Sequence, residues 1–92
     1  MKTIYKYPLK IEDVQEIKLP KYFQFLDIQV QNGIPCLYAM VDTEEESITM
    51  QILLFGTGHE ITCYIVNYIY IGTFQLFDGK AVFHAFWSCI KE

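Results

Sequence analysis

Two dipeptides, Asn32-Gly33 and Asp78-Gly79, constrain this chain more than any other feature, because each sits between apolar stretches of period two. A residue pair with φ > 0 at both positions closes a two-residue β-hairpin, and Asn-Gly and Asp-Gly adopt that conformation at least cost. Before the first turn, Leu26, Ile28 and Val30 alternate with Asp27, Gln29 and Gln31, the pattern of a half-buried strand. With Gln31 facing Ile34, the register predicts Ile28 opposite Leu37 and Leu26 opposite Ala39 on an apolar face. Asp27 and Gln29 then meet Tyr38 and Cys36 on the other face, and Pro35 places the start of the return strand at a sheet edge.

In the second hairpin Phe77 faces Lys80, which sets Phe74 opposite Phe83 and Thr73 opposite His84. Phe74, Leu76, Ala81, Phe83, Ala85 and Trp87 share one apolar face. Thr73, Gln75, Val82 and His84 share the other, where a polar site can be built.

Thr3–Leu9 and Ile48–Phe55 also read as strands, and the strand pattern resumes from Ile61 to Ile71 after the break Gly56-Thr57-Gly58-His59-Glu60. The acidic patch Asp42–Ser47 reads as an exposed loop. In Ile11–Leu19 the apolar spacing allows strand or helix, but Pro8 and Pro20 bracket too short a segment for a stable helix, so a strand is expected. The uncharged run Ile61–Phe77 is broken by Asn67, Gly72 and Gln75 and falls short of a membrane span, so it reads as a pair of buried strands with no membrane partner. The expectation is a single all-β domain over residues 1–92, a small antiparallel sandwich or partly open barrel of seven or eight strands.

Hydrophobic residues make up 52% and aromatic residues 16% of the 92 residues, more than one small core absorbs, so some apolar surface is expected to meet another chain or a ligand. A homo-oligomer is one way to cover it. The net charge is -4 and every basic residue is lysine, which removes the residue best suited to bidentate guanine and phosphate contacts. Sequence-specific DNA binding is not expected. Cys36, Cys63 and Cys89 are odd in number and widely spaced, neither a disulfide framework nor a CxxC motif, and Met1–Leu9 lacks a signal-peptide pattern; both point to a reducing, intracellular setting.

The most site-like segment is Gly56-Thr57-Gly58-His59, where glycines let backbone N–H groups approach an anion and the histidine can donate to it. A plain turn between strands needs the same glycines, and no helix N-terminus follows to make a dinucleotide fingerprint. His59 and His84 are the only histidines and have no Asp, Glu or Cys at ligand spacing, so neither a metal nor another cofactor is expected. His84 beside Thr73 can simply bond a hydroxyl. The seven tyrosines, Tyr38 among them, offer stacking faces for a base, although tyrosine is also a good strand former. No nucleophile and base are brought together by the pattern, and the chain is read as a non-enzyme.

The blocks Lys6-Tyr7-Pro8-Leu9, Val30 to Ala39, Phe55-Gly56-Thr57-Gly58-His59, Tyr70-Ile71-Gly72-Thr73-Phe74-Gln75 and Val82-Phe83-His84 resemble a family of short proteins encoded by bacteriophages and prophages. That family carries no function to transfer, but the resemblance implies a setting in the host bacterial cytoplasm and a role against bacterial defence. The leading expectation is a protein that sequesters a small nucleotide-like immune signal. In it Tyr38 or another tyrosine stacks on the base, Gly56, Thr57 and Gly58 hold a phosphate, and His59, Thr73, Gln75 and His84 add polar contacts. The alternatives are an inhibitor that binds a host defence protein directly, through an exposed strand edge or the apolar Ile61 to Tyr70 surface with Glu44-Glu45-Glu46 imitating nucleic acid charge, and a virion structural or assembly protein.

Overall fold

The computed structural model describes residues 1–62 and 67–89. Seven strands run through them: β1 (Lys2–Pro8), β2 (Val14–Pro20), β3 (Gln24–Gln31), β4 (Ile34–Asp42), β5 (Ser47–Gly56), β6 (Ile69–Leu76) and β7 (Ala81–Cys89). All pairings are antiparallel. One sheet has the order β1-β4-β3 and the other β2-β5-β7-β6, so the domain is an all-β, two-sheet sandwich and not a closed barrel. The segment bracketed by Pro8 and Pro20 is a strand from Val14 onward, while Ile11, Glu12 and Asp13 are irregular. The strand expected from Ile61 begins only at Ile69; Ile61 and Thr62 are irregular, and Cys63, Tyr64 and the rest of 63–66 lie outside the described residues.

Both hairpins keep the predicted register. Asn32 and Gly33 have φ of 51° and 78°, the left-handed pair that lets Gln31 face Ile34. At the second, Leu76 pairs with Ala81, Phe74 with Phe83 and Thr73 with His84. There the left-handed run is one residue longer than expected, because Phe77 (φ 54°) joins Asp78 and Gly79 and two successive turns close, Gly79 N–H on Leu76 O and Lys80 N–H on Phe77 O.

The core lies between the sheets. Leu37 of β4 and Ile28 of β3 meet Ile52 and Leu54 of β5, Ala85 of β7 and Phe74 and Leu76 of β6, while Ala39 and Val41 of β4 pack with Leu19 of β2 and Met50 of β5, all buried, and Trp87 and Phe25 pack edge-on at 5.7 Å. Burying a side chain of this size stabilises the fold by about 1.5–3 kcal/mol. Ile28 opposite Leu37 follows the expected register, but Leu26 opposite Ala39 does not: a bulge between Phe25 and Asp27 puts Phe25 across from Ala39. A bulge shifts the parity of a strand by one residue, so Phe25 and Ile28, three apart, both face inward and Leu26 is left 41% exposed. The Asp27 carboxylate takes up the Ile28 N–H at 2.8 Å, satisfying a donor beside the irregularity.

Pro35 corrects a second expectation. β4 is the central strand of its sheet, not an edge. Proline is tolerated because β1 ends its pairing at Pro8 opposite Cys36, and beyond it only the Pro35 carbonyl is used, accepting from Leu9 N–H at 2.8 Å.

β6 has its own bulge, between Tyr70 and Gly72. A Cβ at Gly72 would stand 2.9 Å from Ile28 Cγ2 and 3.8 Å from Asp27 Oδ1, so the two bulged strands, one from each sheet, cross at this glycine.

Candidate functional site on the outer face of the four-stranded sheet

Register places Phe55, His84 and Thr73 in one row across β5, β7 and β6, with Leu53, Phe86 and Tyr70 in the next. Tyr70 and Thr73 are three residues apart and would face opposite ways in a regular strand. The bulge at Ile71 restores them to the same face, and Tyr70 OH lies 2.6 Å from Thr73 Oγ1. Thr73 Oγ1 in turn lies 2.9 Å from His84 Nδ1, and His84 Nε2 lies 2.7 Å from Thr57 Oγ1. Thr57 Oγ1 and Thr57 N–H both reach the Val82 carbonyl, at 3.4 Å and 3.0 Å.

These contacts form one hydrogen-bonded chain. With Thr57 O–H donating to Val82 O, the Thr57 oxygen accepts from Nε2–H, Nδ1 accepts from Thr73 O–H, and Thr73 accepts from Tyr70 O–H. Every donor is then used around a neutral imidazole. Reversing the direction would take the Thr57 hydrogen away from the Val82 carbonyl, so the chain runs from Tyr70 toward Val82. The chain pins the segment after β5 to β7 through a side chain that sits mid-strand.

The loop itself closes as a turn. His59 N–H donates to Gly56 O at 3.1 Å and Gly58 has φ 83°, the arrangement of a type II turn. Thr57 and His59 N–H are therefore spent inside the protein, and the phosphate cradle expected of Gly56 to Gly58 is not formed by them. The imidazole of His59 lies over Gly56, where an added Cβ would stand 2.6 Å from the ring.

Beside the histidine chain runs a groove of about 340 Å³, lined among others by Asp13, Gln51, Phe55, His59, Glu60 and Tyr68. Leu53 forms part of its floor and is only 3% exposed although it belongs to the outer face. No lysine lines the groove, and neither Asp13 nor Glu60 makes an ion pair among the described residues.

Of the residues singled out from sequence, Thr57, Thr73 and His84 are joined directly, and Gly56 and His59 line the adjacent groove. Gln75 shares the outer face, exposed and paired with Val82, and Gly58 is the turn residue. Tyr38 is not brought to them: it lies on β4 of the other sheet, in register with Lys6 and Asp27. Tyr70, Asp13, Gln51, Phe55 and Glu60 were missed. Only Tyr70 left a signal, since an isolated glycine within a strand marks a bulge and Gly72 is one. Of the three glutamates, Glu44 is held by the N-terminal amine at 2.8 Å and Glu46 by Lys21 Nζ at 2.9 Å, which leaves Glu45 as the one without an ion pair among the described residues. No group of three or more His, Cys, Asp or Glu able to hold a metal occurs among the described residues, nor is any described helix long and apolar enough to cross a membrane.

Fold and site together define a small two-sheet β domain with a hydroxyl–imidazole chain and an acidic, aromatic groove on one outer face. A family model for a domain of unknown function, DUF7352, matches residues 1–89, and the chain belongs to that family. No curated protein and no solved structure matches it.

Proposed function

We propose that this is a phage- or prophage-encoded anti-defence protein that acts without catalysis in the host bacterial cytoplasm, capturing a small nucleotide-like signal in the groove beside His84. The observation that supports this reading is the lining of the groove, where the aromatic rings of Phe55 and Tyr68 stand with the acceptors Asp13, Gln51 and Glu60 in a space of about 340 Å³. That volume falls at the small end of ligand sites. Aromatic faces suit a planar base, and carboxylates and amides suit its amino groups and ribose hydroxyls.

Two carboxylates without a lysine oppose a phosphate in the groove, so the base and ribose are the recognised parts. Titration calorimetry against adenosine, guanosine, their 5′-monophosphates and cyclic dinucleotides tests this. The nucleosides are expected to bind at least as tightly as their monophosphates, and Glu60→Gln to weaken nucleoside binding about tenfold. No heat with any of these compounds sinks the reading.

A second reading, direct inhibition of a host protein, is favoured by a different surface. Ile4, Ile34 and Met40 are exposed on the outer face of the three-stranded sheet. Mass measurement of what heat releases from the tagged protein recovered from host lysate separates the two, since signal capture predicts a nucleoside or nucleotide and direct inhibition predicts none.

A further inference from the structure

The first strand carries an open edge. β1 hydrogen-bonds only β4, and among the described residues no strand lies on its other side. The direction of its backbone groups follows from two bonds at its ends: Thr43 N–H donates to Met1 O at 2.9 Å, and Leu9 N–H donates to Pro35 O at 2.8 Å. In an antiparallel pair, residues alternate between bonding one neighbour and facing the other way. Residues 1, 3, 5, 7 and 9 therefore bond β4, and Lys2, Ile4 and Lys6 present their N–H and C=O groups outward. Pro8, next in that series, has no N–H to offer, so the open edge ends there.

The side chains of the same three residues lie on the outer face, in register with Asp42, Met40 and Tyr38. Ile4 is 54% exposed and lines a shallow hollow with Lys2, Thr3 and Met40. Lys6 Nζ reaches only the amide oxygen of Gln31, at 3.0 Å, and neither Lys2 nor Lys6 has an ion pair among the described residues. The Asp42 carboxylate beside Lys2 is taken up by the N-terminal amine and the Glu44 N–H. The edge is thus an apolar position flanked at both sides by lysines without a close ion pair among the described residues, on a chain whose net charge is -4.

We infer that this edge receives an extended segment of another protein as an added strand, with the pattern acidic–x–apolar–x–acidic. A strand paired to β1 sets one residue opposite each of Lys2, Ile4 and Lys6 on the outer face. Acids opposite the two lysines neutralise them, the apolar residue fills the hollow between Ile4 and Met40, and the intervening residues cover Tyr5, which is 42% exposed. Charge complementarity selects this occupant over a second copy of the chain. Two β1 strands related by a twofold axis at Ile4 would set Lys2 against Lys6 of the other copy, at both ends of the pairing.

The test uses the full chain and two capped, fluorescein-labelled peptides, one with the core Glu-Thr-Val-Thr-Glu and one with Lys-Thr-Val-Thr-Lys. Fluorescence anisotropy is expected to show the acidic peptide bound about tenfold more tightly, with the preference reversed for the Lys2→Glu/Lys6→Glu variant. Amide resonances of Lys2, Ile4 and Lys6 are expected to move on titration, while those of Thr3 and Tyr5, already bonded to β4, move less. Equal affinity for the two peptides, no binding of either, or resonance changes confined to other strands would each overturn the inference. These readouts are indifferent to the groove beside His84, so the two proposals fail separately.

Discussion

At the scale of single residues, the contacts that matter are close approaches and tethers. Gly72 stands where a Cβ would meet Ile28 Cγ2 at 2.9 Å. Gly72→Ala must push two crossing strands apart, and a loss of about 1–3 kcal/mol by urea unfolding is expected, the usual cost of an overpacked core. His84 holds two threonine hydroxyls, and His84→Ala should cost about 1–2 kcal/mol, since each net hydrogen bond is worth about 1 kcal/mol. His84→Ala should also lower nucleoside affinity by freeing the loop that carries His59. Two exposed carboxylates add an acid limit. The Glu44 N–H and then the N-terminal amine hold Asp42 below the ordinary carboxylate value, and the Lys21 ammonium does the same for Glu46. A depressed carboxylate contributes stability that is present above its unfolded pKa of about 4 and is lost as pH falls through the lower folded value. Thermal midpoints should therefore decline below about pH 4, and Lys21→Ala should make that decline shallower. Both groups are solvent-exposed, so the effect is small and screened by salt.

At the scale of elements, the hairpin tips differ. Asn32-Gly33 uses two residues suited to positive φ, whereas the second tip places Phe77 at φ 54° with its ring 71% exposed. A bulky residue in that region is disfavoured by about 1 kcal/mol or more. Phe77→Asn should raise stability by about 0.5–1 kcal/mol, measured as a higher urea midpoint with an unchanged slope. The hairpin registers were legible because turn chemistry is local: Asp78-Gly79 alone set Thr73 across from His84. Beyond a bulge that legibility ended. Leu26 and Phe25 exchanged faces because the extra residue in β3 answers to the crossing of β3 over β6, a contact between segments more than forty residues apart. For the same reason Tyr70 could be seen as an aromatic strand residue but not as the first member of the histidine chain. The groove was less legible still, since Asp13 and Glu60 meet only through the pairing of β2 with β5 and the course of the loop after Gly56. Pro35 misled for a related cause, because proline reports a missing donor and not which neighbour would have needed it.

At the scale of the whole molecule, the strands form a continuous path, β1-β4-β3 and then β6-β7-β5-β2, folded over at the crossing of β3 and β6. The strand ladders run along each sheet and stop at the fold-over, where β3 and β6 meet by packing. The outermost strands of that path, β1 and β2, each pair on one side only, while β4, β5 and β7 are paired on both. Native-state amide exchange makes the consequence observable. Protection should be greatest in β4, β5 and β7 and fall away toward β1 and β2, with Lys2, Ile4 and Lys6 exchanging within the dead time because their amides face water in the intact fold. A strand supplied from outside would reverse this order at one place. The fastest-exchanging amides of the folded protein would become protected, so the edge that is least secured in isolation would report its occupation in the exchange spectrum.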